Sequence, residues 1–179
     1  MHILRSLVVA AAVLAGVPAN AFEPIGEVQF AAGGSGAGAS FDADRLVGPA
    51  VNLTRREGGG WAGDLAGQNL SLALKGKKLT APNVTIAFER NDKGNVRVQG
   101  LWYGNRFRID LDEKKAHGRF GTCSLDLKRT APGYYRGDVG CFRGSMPATA
   151  RASLKLLGQA ATGDALPQLA LALLAVLPS

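Results

Sequence analysis

The sequence predicts an all-β fold: an antiparallel meander of about seven to nine strands, closed as a barrel or folded as a two-layer sandwich, followed by a C-terminal apolar helix. Three observations predict it. Short runs alternate apolar and polar residues with a period of two, as in Leu70, Leu72 and Leu74, in Val84, Ile86 and Phe88, and in Phe107, Ile109 and Leu111. Clusters such as "LKGKK", "RNDKGN", "YGNR" and "TAPGY" interrupt the runs at hairpin spacing, which leaves no room for crossover helices. The only two cysteines lie symmetrically about one of those turns.

Taken in chain order, residues 1–21 read as a signal peptide. Arg5 supplies the positive start, Leu7 to Val17 the apolar stretch, and Ala19-Asn20-Ala21 a small-x-small cleavage site. The run is too short to span a bilayer, and no cysteine near the cut supports a lipoprotein anchor. Residues 22–50 form an N-terminal segment whose "AAGGSGAGAS" is expected to be a flexible linker, because glycine, alanine and serine alone build no core. The antiparallel domain is expected over 51–157. Gly104-Asn105 suits a two-residue hairpin turn, and Asn91 to Gly94 a slightly longer one.

The most specific hairpin is centred on Pro132. Cys123 and Cys141 are equidistant from it, so antiparallel pairing sets them opposite each other and within reach of a disulfide. The same register pairs Leu125 with Val139 and Leu127 with Gly137, so stepping by two from either cysteine keeps to an apolar face. A staple closing a loop of that size contributes about 3 kcal/mol on the chain-entropy model. The tripeptide Arg136-Gly137-Asp138 then falls mid-strand, its two charges turned to solvent away from any loop tip, which argues against an adhesion signal. That register also sets Asp126 opposite Asp138 and Lys128 opposite Arg136, a repulsion needing relief from diagonal pairs or a bulge.

Residues 158–179 form the tail. Leu169, Leu171, Leu173, Leu174 and Leu177 sit among good helix formers, with Pro167 in the first turn. The stretch is too short to cross a membrane and is apolar on nearly all sides, so it must be covered. Packing over an open end or face of the sheet is expected; peripheral membrane contact or docking on a partner is the alternative.

The chain carries 21 Lys and Arg against 14 Asp and Glu, a net charge of +7. Only Arg5 of these lies in the leader, so the exported part stays basic and suited to anionic glycans or headgroups. Aromatic and cationic residues interleave in "LWYGNRFRI" and "GYYRGDVGCFRG". Trp102, Tyr103, Arg106, Arg108, Tyr134, Arg136 and Arg143 are therefore the candidate ligand-binding residues, with rings to stack and guanidinium groups to neutralise charge. The mouth of a β-barrel is a common place for such a pocket.

Catalytic signals are absent. Beyond the leader the single histidine is His117, and no nucleophile elbow accompanies it. Asp64, Glu89, Asp110 and Asp112 are available carboxylates, but nothing singles out a pair for glycoside hydrolysis. One histidine and two bridged cysteines cannot make a zinc site, and "FDADRL" lacks the remaining ligands of a calcium loop. Asn52, Asn69 and Asn83 begin glycosylation sequons that matter only in a eukaryotic secretory route.

The expectation is thus an exported, non-catalytic β-domain, periplasmic or extracellular, that binds an apolar or anionic envelope component, with no cofactor and no metal. Its partners would be lipid, acidic polysaccharide or envelope protein; nucleic acid is not expected. The alternative is a protein-interaction module docking through the Leu-rich helix.

Overall fold

The computed structural model describes residues 22–144 and 146–177, and the backbone alone of Arg143. The expected signal peptide, 1–21, lies outside the described residues. Fourteen strands follow one another: β1 (Gly26–Ala32), β2 (Ser35–Phe41), β3 (Arg45–Gly48), β4 (Val51–Arg55), β5 (Trp61–Leu65), β6 (Gln68–Lys75), β7 (Lys78–Ala81), β8 (Val84–Arg90), β9 (Val96–Trp102), β10 (Asn105–Leu111), β11 (Lys115–Phe120), β12 (Cys123–Ala131), β13 (Tyr134–Arg143) and β14 (Met146–Gly158). Each pairs antiparallel with the next, and β1 pairs with β14, so the sheet closes into an up-and-down barrel. Closure removes both edges that an open meander would expose.

Successive side chains alternate across the wall. Val84, Ile86 and Phe88 are buried inside, as are Phe107, Ile109 and Leu111, while their neighbours are wholly or partly exposed. Polar and charged groups outside with apolar groups inside is the reverse of the pattern by which a barrel spans a bilayer. No helix among the described residues is long and apolar enough to cross a membrane.

The strand count exceeds the expected seven to nine. Residues 22–50 contribute three strands of the wall, so the expected linker is structural. "SGAGASF" is β2, paired along its length with β1, with Ala37 opposite Phe30 and Ala39 opposite Val28. The short strands β4, β5 and β7 supply the rest of the excess, having too few residues each to display a period.

The tail explains why β2 is built of small residues. Helix α1 (Gln159–Thr162) and Gly163, at φ 69°, turn the chain back, and α2 (Leu166–Val176) follows. Leu169, Ala170, Leu171, Ala172 and Leu173 are each no more than 1 % exposed, although together they cover the full circumference of the helix. Helix α2 touches β1, β2 and β3 on one wall and β8 on the opposite wall. It therefore runs through the lumen, where Ala37 and Ala39 of β2 leave room for its backbone. This corrects the expected packing over an end or face: a closed wall of fourteen strands encloses more volume than inward side chains fill, and the apolar tail is the filling.

Because every strand is antiparallel to the next, the connections alternate between two ends. At the disulfide end they are residues 33–34, 49–50, 66–67, 82–83, 103–104, 121–122 and, among the described residues, Gly144. At the other end, where the tail enters, they are 42–44, 56–60, 76–77, 91–95, 112–114 and 132–133. The expected Gly104-Asn105 turn is shifted by one: Trp102 pairs with Asn105, and Tyr103-Gly104 take the positive φ values of 44° and 89°. In the longer loop after β8, the Asn91 side-chain oxygen accepts the backbone N–H groups of Lys93 and Asn95, both at 3.0 Å.

The hairpin of β12 and β13 has the register read from the sequence. Cys123 pairs with Cys141 and is joined to it by a disulfide; Leu125 faces Val139 and Leu127 faces Gly137. Arg136 and Asp138 are exposed mid-strand, so the tripeptide is wall and not tip. The like-charge pairs occur as expected, and a register shift lies between Arg129 and Ala131. Relief for Asp138 comes from the next strand, where Arg151 approaches to 3.4 Å.

Candidate functional site

Antiparallel pairing lays outward side chains in rows across neighbouring strands. One row runs Lys78, Ala87, Gln99, Arg108, Arg119 and Ser124, from β7 to β12. The next row towards the disulfide end contains Thr85, Leu101 and Arg106. With Phe142 of β13 they line a groove of about 1000 Å³ on the outer surface. Its floor includes Gly100, where a Cβ would lie 1.8 Å from the Thr85 carbonyl oxygen. Only glycine lets β8 and β9 approach so closely there.

The groove is cationic and only partly compensated. Among the described residues that line it there are Lys78, Arg106, Arg108 and Arg119 but no carboxylate. Arg108 and Arg119 stand directly opposite each other, an arrangement that repels. Arg108 is partly neutralised by Asp110, whose Oδ2 accepts from its Nε at 2.7 Å. Lys78, Arg106 and Arg119 form no ion pair among the described residues. Leu101 and the exposed Phe142 add apolar surface beside these charges.

The adjoining row shows what compensation looks like on the same wall. It runs Glu89, Arg97, Asp110, His117, Asp126, Asp138 and Arg151. Arg97 donates to Asp110 at 2.7 Å and to Glu89 at 3.1 Å. Burial alone would raise the Asp110 carboxyl, but the hydrogen bonds and charges of Arg108 and Arg97 hold it below the ordinary carboxylate range. Asp110 in turn pushes the Arg97 guanidinium upward. Of the carboxylates considered for hydrolysis, Asp110 thus braces two arginines, and Asp112 accepts the backbone N–H groups of Lys114 and Lys115 at 2.7 Å.

The candidate residues are divided by the fold. Arg106 and Arg108 belong to the groove. Trp102 faces inward at the disulfide end, partly buried against the core, and meets the Tyr103 ring edge-on at 5.2 Å between centroids. Tyr103 itself is exposed in the turn. Tyr134 and Arg136 border a second, smaller groove of about 460 Å³ over β1, β2, β13 and β14. There the Lys155 ammonium sits 5.4 Å from the Tyr134 ring centroid. The Arg143 side chain lies outside the described residues. Sequence reading missed Lys78, Arg119 and Phe142. Only the register of three successive strand pairs could have placed Lys78 in line with Arg108, whereas Arg119 lies one hairpin away and its pairing across the 112–114 turn went unread.

Comparison of the chain with protein-family models, with curated proteins and with solved structures finds no significant match.

Proposed function

We propose that this protein is an exported, non-catalytic binding module of the bacterial periplasm or extracellular space. It takes an anionic envelope component, either an acidic glycan or a lipid headgroup, on the outer face of its barrel. The observation that carries this reading is the groove of β7 to β13: four cations, two of them directly opposed, with no carboxylate among the described lining residues. On the same wall the row of Glu89, Arg97 and Asp110 is joined by ion pairs, whereas the groove leaves Lys78, Arg106 and Arg119 open to an anion from outside. The disulfide fits an oxidising compartment.

The filled lumen moves the site. A pocket in the barrel mouth is the usual arrangement for this architecture, but α2 occupies that space. Docking through the Leu-rich helix finds less support, because Leu169, Leu171 and Leu173 would have to leave the core first.

Binding to an immobilised acidic polysaccharide across a salt series tests the reading. Retention at low salt that falls as ionic strength rises is expected, with the Arg106→Glu/Arg119→Glu variant weakened about tenfold or more. Equal retention of the variant would remove the groove as the site.

A further inference from the structure

The two ends of the barrel differ in chemistry. None of the connections at the disulfide end carries an Asp, Glu, Lys or Arg. Those at the tail end hold Asp42, Asp44, Asp92, Lys93, Asp112 and Glu113 among others. The uncharged end also bears the most exposed large apolar side chains described: Met146 at 73 %, Phe142 at 57 % and Tyr103 at 41 %. The other two exposed large apolar residues, Ile25 and Tyr134, lie towards the charged end.

The hairpin carrying two of these side chains overhangs the rim. Pairing of β1 with β14 stops at Ala152, and the register pairs of β12 with β13 stop at Cys123 and Cys141. Beyond those points Phe142 pairs with Pro147 within the hairpin, and Met146 stands at its far end. The disulfide ties the base of this projection to the wall. Just behind it, on the outer surface, lie Arg106 and Arg119 of the cationic groove.

Uncharged turns tipped with an aromatic ring, a thioether and a phenol, set in front of a collar of arginines, match the layering of an anionic bilayer. Rings and thioether enter the interface, and cations stay at headgroup level. We infer that the protein docks on an anionic lipid bilayer with the disulfide end down, the tip of the β13–β14 hairpin entering the interface. This rests on the anion-binding reading for its charge attraction and chooses lipid over glycan as the physiological partner. Membrane contact through the apolar tail, the sequence-based alternative, is replaced by contact at the opposite end.

Flotation with vesicles tests it, using the full chain in the same oxidised form for every variant. The probes are vesicles of phosphatidylcholine alone, vesicles with about 30 % phosphatidylglycerol, and a soluble acidic oligosaccharide. Wild type is expected to float with the anionic vesicles only. Tyr103→Ser/Met146→Ser, at two exposed positions outside the groove, is expected to lose about tenfold or more in vesicle affinity while its oligosaccharide affinity stays unchanged. Arg106→Glu/Arg119→Glu is expected to lose both. Wild-type vesicle affinity in the double serine variant overturns the docking and leaves the groove intact; loss of vesicle and oligosaccharide binding by the wild type removes both. An indole placed at the tip, Phe142→Trp, is an independent readout: its added fluorescence is expected to be quenched by bromine-labelled acyl chains, and an unquenched added indole on bound vesicles overturns the proposed orientation.

Discussion

Asp110 shows how one carboxylate organises this surface. It lies on β10 between the guanidinium groups of Arg97 and Arg108, accepting from both at 2.7 Å. Its folded pKa is depressed, so its contribution to stability is present above the ordinary carboxylate range near pH 4 and is lost as pH falls through the lower folded value. A carboxyl titration followed by NMR should therefore find Asp110 below the exposed aspartates, and Arg97→Ala or Arg108→Ala should each move it upward. An unchanged midpoint in both variants would show that the guanidinium groups do not set it. Cys123 and Cys141 give a second prediction at this scale. Replacing both by alanine should lower unfolding stability by about 3 kcal/mol in denaturant titrations. Their pairing was legible because residues equidistant from a Pro-Gly turn must meet in an antiparallel hairpin. Lys78 could not be grouped with Arg108, since that depends on the register of three successive strand pairs that no local pattern encodes, while Arg119 lies directly across the β10–β11 hairpin and needed only the centre of its turn.

At the scale of elements, the alternating strands from β8 to β13 could be read from their period, whereas β2 could not. Its glycines and alanines look like a linker because nothing nearby in sequence explains them. The reason lies at the far end of the chain, where α2 returns to pack against β2, whose Ala37 and Ala39 belong to the core inside the barrel. The same helix was legible as apolar and buried but not as the content of a lumen, because its wall is made by all the other elements. Leu171, fully buried within it, should cost about 2–5 kcal/mol when cut to alanine, measured by chemical unfolding. Gly100→Val should destabilise the sheet comparably or more, since its side chain would begin 1.8 Å from the Thr85 carbonyl oxygen. A valine variant that melts like wild type would mean that β8 and β9 do not approach so closely.

The whole molecule is a closed wall turned inside out relative to a membrane barrel, with its own tail as core and the proposed binding surface outside. Two asymmetries follow from the connectivity. Alternating turns separate charged connections from uncharged ones, and the cross-strand rows separate an ion-paired, carboxylate-rich band from a cationic one. Neither shows in the overall composition, which records only a net +7. Removing the tail from Gly163 onward should therefore unfold the barrel and not merely expose a docking face, a result readable by circular dichroism. A truncated chain that keeps its sheet would mean that the lumen is filled without α2.

The location of the binding surface is tested most directly by an NMR titration of the isotope-labelled protein with an acidic oligosaccharide. Shift changes should gather on the outward residues of β7 to β12, with Arg106, Arg108, Arg119 and Lys78 foremost and the α2 leucines silent. Changes centred on α2 and the inward faces, or none at saturating ligand, would contradict an external anion site on a filled barrel.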